Sequence, residues 1–274
     1  MTVAPMHERG GIGGHNTLSV KTPGLSRQAP TVVARLSILG GFELRCGADL
    51  VHLPPASQRL LAFVALHERA VLRVFVAGTL WLDAPDAQAA ANLRSALWRL
   101  RRPKCRLVAA TTTHLWLDPQ VAVDLREMTD LAACLQRGSI ACNDRRISPG
   151  TFSGDLLPDW YDDWLHFERE HVRQVRLHAL DTLCVRLTDA REYGLALQAG
   201  LAAVAAEPLR ESAQRTLIRV HLAEQNNSEA LRQYRAYQRL IKDELGLSPS
   251  QQMRDLVAGL QSVRTAVNDE MQRA

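Results

Sequence analysis

The sequence holds no apolar run approaching the roughly 18–20 residues a membrane helix requires, and its first thirty residues lack the apolar core of a secretion leader. These absences argue against bilayer insertion and export, and make a cytoplasmic protein the expectation. Met1–Pro30 instead carries glycine pairs, polar residues and little periodicity, and reads as a disordered tail. Its Gly10-Gly11-Ile12-Gly13-Gly14 stretch neither follows a strand nor opens a helix, and no Lys-Ser or Lys-Thr closes it. It is therefore a linker rather than a phosphate-cradling loop. The five cysteines, Cys46, Cys105, Cys134, Cys142 and Cys184, are odd in number and scattered, which excludes both a disulfide framework and paired zinc spacings; thiols in a reducing cytoplasm are expected. His166, His171 and His178 stand five and seven apart, missing the three- or four-residue spacing of helical metal ligands, so no metal is expected. There is no Gly-x-Ser-x-Gly elbow and no His-Glu-x-x-His helix. With nucleophile, base and oxyanion donors nowhere together, an enzyme is excluded and no cofactor is expected.

What is present is globular: 46% of the 274 residues are hydrophobic and 23% charged, enough for two ordinary domains. The net charge of +4 is unevenly spread. Met1–Pro30 has three basic residues to one acid, Thr31–Ala122 eleven to six, and Val123–Ala274 nineteen to twenty-two. A basic front domain ahead of a mildly acidic back domain is a prior for nucleic-acid contact at the front.

The front reads as strands, three helices and strands. Arg35–Leu44 suits strand, turn, strand around Gly40-Gly41, and Val51-His52-Leu53 a short strand stopped by Pro54-Pro55. Ser57 is the expected N-cap of a first helix with a Leu60, Leu61, Val64, Ala65 stripe, ending near His67–Ala70. A second helix is expected over Arg73–Leu82, then a turn to Asp86, the expected N-cap of a third helix over about Ala87–Arg102.

On that third helix Leu93, Ala96, Leu97 and Leu100 fall at i, i+3, i+4 and i+7 and should face the core. The opposite face carries Ala91, Ser95, Trp98, Arg99 and Arg102, with Asn92 at one edge and Arg94 and Arg101 at the other. From Ala87 to Leu117 there are six basic residues, Arg94, Arg99, Arg101, Arg102, Lys104 and Arg106, and no acid. A helix about 10–12 Å across fits the major groove, where arginine reads guanine and asparagine reads adenine. Asn92, Ser95, Trp98 and Arg99 are thus candidate base readers, with Arg94, Arg101, Arg102 and Lys104 on phosphates. An outward Trp98 either meets DNA or is covered by neighbouring strands. Beyond Pro103, Arg106–Ala109 and Leu115–Leu117 suit a hairpin whose Thr112 and Thr113 can bond phosphates or simply serve as strand residues.

These residues resemble an OmpR-type winged helix, and more narrowly the Streptomyces antibiotic regulatory protein (SARP) family. The resemblance rests on Asn92-Leu93-Arg94-Ser95-Ala96-Leu97-Trp98-Arg99-Leu100-Arg101-Arg102, on Gln58-Arg59-Leu60-Leu61-Ala62 and on Leu80-Trp81. The family's wing usually ends Gly-Tyr-Arg-Leu-Asp, whereas this chain has His114-Leu115-Trp116-Leu117-Asp118.

The back half reads as helices: Leu125–Gln136, a loop over Gly138–Gly154, a long helix opening at Leu156 and running to about Leu187, then Ala190–Ala205, Leu209–Gln225, Ser228–Leu245 and a short Gln251–Leu260. Trp160, Tyr161 and Trp164 are expected to lock a helix onto its neighbour. Ala196-Leu197 and Ala230-Leu231 repeat 34 residues apart, the tetratricopeptide period. This half resembles the bacterial transcriptional activator domain that follows the winged helix in SARP regulators, on Leu156–Trp164, Tyr234-Arg235-Ala236-Tyr237 and Asp243-Glu244-Leu245-Gly246-Leu247-Ser248-Pro249. Larger family members append an ATPase domain, and with no phosphate loop in this sequence the resemblance leads to the expectation of one of the short members.

The expected architecture is an α+β winged helix followed by an all-α tetratricopeptide-like domain. The expected boundaries are a tail over 1–30, the winged helix over 31–122, the activator domain over 123–262 and a tail over 263–274. The resemblance implies an activator that binds double-stranded DNA at promoter direct repeats, associates with further copies there and recruits RNA polymerase, Leu82, Asp83 and Asp86 facing the polymerase. The competing reading is a protein–protein adaptor whose winged helix no longer binds DNA.

Overall fold

The computed structural model describes residues 33–102, 105–138 and 147–260. Both expected tails, Lys104, Cys142 and the glycine-rich stretch lie outside them.

Three short strands open the chain: β1 (Ala34–Ser37), β2 (Glu43–Cys46) and β3 (Asp49–Leu50). Gly40 and Gly41 both take positive φ at the β1–β2 turn, a conformation glycine adopts without a Cβ penalty. Helix α1 (Pro55–Leu66) starts two residues before Ser57 because Pro55 is pre-set for the first helical turn. Ser57 is therefore not the cap; it is buried, its hydroxyl donating to the Ala96 carbonyl at 3.3 Å. Strand β4 (Val71–Leu72) leads into α2 (Arg73–Leu80), and α3 (Asp86–Leu100) follows a turn over Trp81–Ala84. Here too a proline, Pro85, holds the cap position expected of Asp86, which sits in the first turn where its charge favours the helix dipole. Strands β5 (Val108–Ala110) and β6 (His114–Leu117) form the hairpin, and β7 (Val121–Val123) closes the sheet-bearing half.

The strands make two sheets, in the orders β3-β2-β1-β7 and β4-β6-β5. Strand β7 runs parallel to β1, with Leu36 opposite Val123. Helices α1, α2 and α3 pack against these sheets and one another, giving the winged helix. Helix α4 (Asp124–Gln136) leaves directly from β7, and the Asp124 carboxylate accepts from the backbone N–H of Ile38 (3.0 Å), Leu39 (3.1 Å) and Leu125 (2.7 Å). Burial outweighs these bonds and raises the Asp124 pKa above the ordinary carboxylate value.

The long helix does not open at Leu156. Leu156 bridges Leu39, the Leu157 N–H donates to the Ile38 carbonyl at 2.9 Å, and Leu157 takes a φ of 43° before Pro158. A residue ahead of proline is disfavoured in helix, so this segment extends beside the end of β1 and helix α5 (Leu165–Asp189) begins later. Arg169 on α5 holds the bend by donating to the carbonyls of Leu156, Leu157 and Trp160. Helices α6 (Tyr193–Ala206), α7 (Glu211–Ala223) and α8 (Asn227–Leu245) then stack pairwise, followed by a helical stretch over 251–260. The echoing Ala196 and Ala230 are both fully buried, as small contacts between paired helices should be.

One buried cluster runs from Ala34 to Val220, and a second, from Ile218 to Val257, finishes the helical end. The expectation of free thiols fails at Cys46, Cys105 and Cys134. Cys46 and Cys105, 59 residues apart in sequence, are disulfide-bonded with their Cα atoms 6.4 Å apart. Cys134 is disulfide-bonded as well, whereas Cys184 is a buried free thiol. Spacing alone carried no sign of the pairing, because β2 and the segment after α3 meet only once both sheets have formed.

Candidate nucleic-acid interface

Helix α3 buries Ala89, Leu93, Ala96 and Leu100, with Leu97 half-buried against the same core. The period of 3.6 then drives Arg94, Ser95, Trp98 and Arg99 outward, and all four are exposed. Trp98 is 70% exposed, so no strand covers it. Asn92 is half-buried at the edge of the face, its side-chain oxygen accepting from Gln88 one turn earlier at 3.0 Å. That bond leaves the Asn92 amide N–H₂ directed away from its own helix partner. Gln88 escaped the sequence reading, although a Gln-to-Asn spacing of four is a recognisable helical pair.

The cations divide by what they touch. Arg94, Arg99 and Arg101 make no ion pair among the described residues. Arg102 folds back onto the carbonyls of Arg99 (2.9 Å) and Arg101 (3.1 Å), satisfying the open end of α3. Arg106 lies 3.6 Å from the Asp118 carboxylate. A cleft of about 950 Å³ separates the outer face of α3 from the hairpin, and Arg73, Trp98, Arg99 and Arg101 line it.

Arg73 is a second residue the sequence did not single out. Its N–H donates to the Thr113 carbonyl at 2.8 Å and its guanidinium reaches the Thr111 carbonyl at 3.3 Å, fixing the hairpin tip to the start of α2. At that tip Thr111 is committed to the turn, accepting from the N–H of His114 at 3.0 Å. Thr113 pairs with the His114 ring at 2.9 Å, while Thr112 is exposed with no hydrogen bond among the described residues. Thr112 and Thr113 thus reach the same side of the fold with different freedom.

Leu82, Asp83 and Asp86 are exposed on and beside the α2–α3 turn, Leu82 at 78%. They do not stand alone. A cleft of about 1050 Å³ joins this turn to Tyr161, Trp164 and Phe167 of the helical half. Of the three aromatics expected to lock α5 in place, two do so: Trp160 stacks on Phe42 with centroids 5.8 Å apart, and Trp164 meets Phe63 edge-on at 5.2 Å. Tyr161 does not, being 92% exposed, and Phe167 beside it is 87% exposed. An Arg59–Asp162 ion pair ties α1 to the segment bearing Tyr161.

Residues 117–261 match the bacterial transcriptional activator domain family. Regulatory protein AfsR of Streptomyces griseus is 26% identical over 249 residues, spanning 86% of this chain and 25% of AfsR. Regulatory protein AfsR of Streptomyces coelicolor is likewise 26% identical, over 89% of this chain and 26% of its own length. The chain therefore spans about a quarter of the curated relatives it matches. Among solved structures, Mycobacterium tuberculosis EmbR, in complex with a low-affinity phosphopeptide, has the same fold with a TM-score of 0.63 and 21% identity, covering 82% of this chain and 64% of that one. With more than half of its length matched and the winged helix placed ahead of the match, the chain belongs to the bacterial transcriptional activator domain family of regulators.

Proposed function

We propose that the protein is a sequence-specific DNA-binding transcriptional activator that occupies promoter direct repeats in the cytoplasm, associates with further copies there and recruits RNA polymerase. The observation that carries this reading is the outer face of α3 and its C-cap, where Arg94, Arg99 and Arg101, without an ion pair among the described residues, flank an exposed Trp98. Unpaired cations and an exposed indole are costly on an ordinary surface and useful against a duplex. In this reading Asn92, Ser95, Trp98 and Arg99 face base edges, and Arg94, Arg101, Arg102 and Lys104, with Thr112 and Thr113 at the hairpin tip, face phosphates. In this reading the domain boundary lies between Ala122 and Val123, inside β7 and just ahead of helix α4.

The polymerase-facing surface in this reading is Leu82, Asp83 and Asp86, extended by Tyr161 and Phe167 across the shared cleft. Selection of bound sites from random DNA tests the whole: a recovered half-site with a fixed repeat spacing is the expected result. Neutralising about six phosphates gives a log–log salt slope near −5, or roughly a thousandfold loss of affinity between 50 and 200 mM salt. A flat salt titration, with no enriched site, would leave the adaptor reading in its place.

A further inference from the structure

We propose that the Cys46–Cys105 bond is a reversible redox switch on DNA affinity, an inference that rests on the DNA-binding reading above. Cys46 closes β2 and is half-buried; Cys105 is 4% exposed and lies just beyond α3, in the wall of the cleft that holds Trp98 and Arg99. The bond therefore anchors the junction between the recognition helix and the hairpin to the four-stranded sheet. On one side of the anchor stand Arg101 and Arg102, and on the other Arg106. Two of the cations assigned to phosphates, Arg101 and Arg102, thus lie beside the segment that the bond holds.

With the bond closed, these cations are placed before DNA arrives. With it open, DNA must order the segment at binding, and that ordering subtracts from affinity. The fold does not need the bond as a staple, since one buried cluster already runs from Ala34 to Val220. In a reducing compartment such a bond is regulatory rather than permanent.

The chemistry is thiol–disulfide exchange with a low-molecular-weight thiol. A small thiolate attacks one sulfur of the bond, and the other cysteine leaves as a thiolate and takes a proton. A second small thiolate then attacks the mixed disulfide, yielding two protein thiols and one small disulfide. Two small thiols supply the two electrons, and a small disulfide reverses both steps. Cys184 stays out of this exchange: burial first, then the charge of Asp181, pushes its thiol up to about 12, and almost none is thiolate at neutral pH.

The test uses the full chain and a site recovered by selection. Affinity is read by fluorescence anisotropy after equilibration in glutathione disulfide or in dithiothreitol, with bond status followed by differential alkylation and mass spectrometry. The closed form is expected to bind roughly 3- to 10-fold more tightly, the range set by ordering one or a few side chains at binding. The difference should vanish in Cys46→Ser and in Cys105→Ser and persist in Cys134→Ser. Equal affinity of wild-type protein with the bond shown open and closed overturns the proposal, without using any variant that has to fold. Tighter binding by the open form also overturns it, as does a bond that millimolar thiol never opens. Failure of both forms to bind any selected site removes the DNA-binding reading itself, and the switch with it.

Discussion

Arg99 and Asp124 are both charged, yet their surroundings give them opposite tasks. Arg99 is exposed on α3 with no ion pair among the described residues, so its removal should leave the fold alone. Arg99→Ala is expected to cost about 1–3 kcal/mol of specific binding if the guanidinium reads a base, and to relax preference at one position of the half-site. Unchanged affinity and unchanged preference in a binding-site selection would remove Arg99 from the base readers. Asp124 has the reverse character, since its carboxylate holds three backbone N–H groups where β1, β7 and α4 meet. Asp124→Ala should cost about 1–3 kcal/mol by leaving those donors unpaired, read as a lower urea midpoint at constant slope. The pH dependence has a definite sign. Because the folded pKa is raised, the native state holds this proton after the unfolded state has lost it. Its contribution therefore declines as pH rises from the ordinary carboxylate value through the folded pKa, and that component of the slope should disappear in Asp124→Asn.

Helix α3 was the most legible element because its period is strict: Leu93, Ala96 and Leu100 are buried and Arg94, Ser95, Trp98 and Arg99 are exposed, as the 3.6 spacing requires. The helix starts were less so, since Pro55 in α1 and Pro85 ahead of α3 each displaced the start that a polar side chain advertised. Leu156–Trp164 misled for a different reason: its apolar content suits a helix, but Pro158 and the backbone of Ile38 and Leu39, just past β1, favour a non-helical path. The Cys46–Cys105 pair and the Arg73–hairpin bonds had no local trace, because each joins segments brought together only by tertiary folding. Among the helical pairs, Gly200 of α6 shows how tight the stacking is. A Cβ there would meet Leu217 Cδ1 at 3.2 Å and Cys184 Sγ at 3.3 Å. Alanine would gain up to about 1 kcal/mol in helix propensity against that crowding, so its net effect is small. Valine lacks that gain and adds two further methyls, and Gly200→Val should destabilise by about 1–3 kcal/mol in urea unfolding. A neutral valine would mean that α5, α6 and α7 are not held at this separation.

At the scale of the whole molecule, the sheet-bearing and helical halves share their structure rather than merely adjoin. Leu156 and Leu157 bond the backbone just past β1, Arg126 of α4 donates to the Ala65 and His67 carbonyls at the end of α1, and the buried cluster continues from β7 into the helices. The same union builds the cleft between the α2–α3 turn and Tyr161 and Phe167, which neither half contains alone. Exposed aromatics of that size on a rigid seam are characteristic of a protein-binding patch. Their removal should cost little stability, within about 0.5 kcal/mol, because neither ring packs in the core. They also lie apart from the residues lining the α3–hairpin cleft. A Tyr161→Ala, Phe167→Ala double variant should therefore bind a selected operator as the parent does. If the proposed activator reading holds, transcription from a promoter carrying that operator, with purified bacterial RNA polymerase holoenzyme, should fall toward the level without activator. Leu82→Ala should act in the same direction, since its side chain borders the same cleft. Full activation by the double variant would remove Tyr161 and Phe167 from the polymerase surface proposed above. Loss of operator binding would show instead that the seam supports the DNA-binding face.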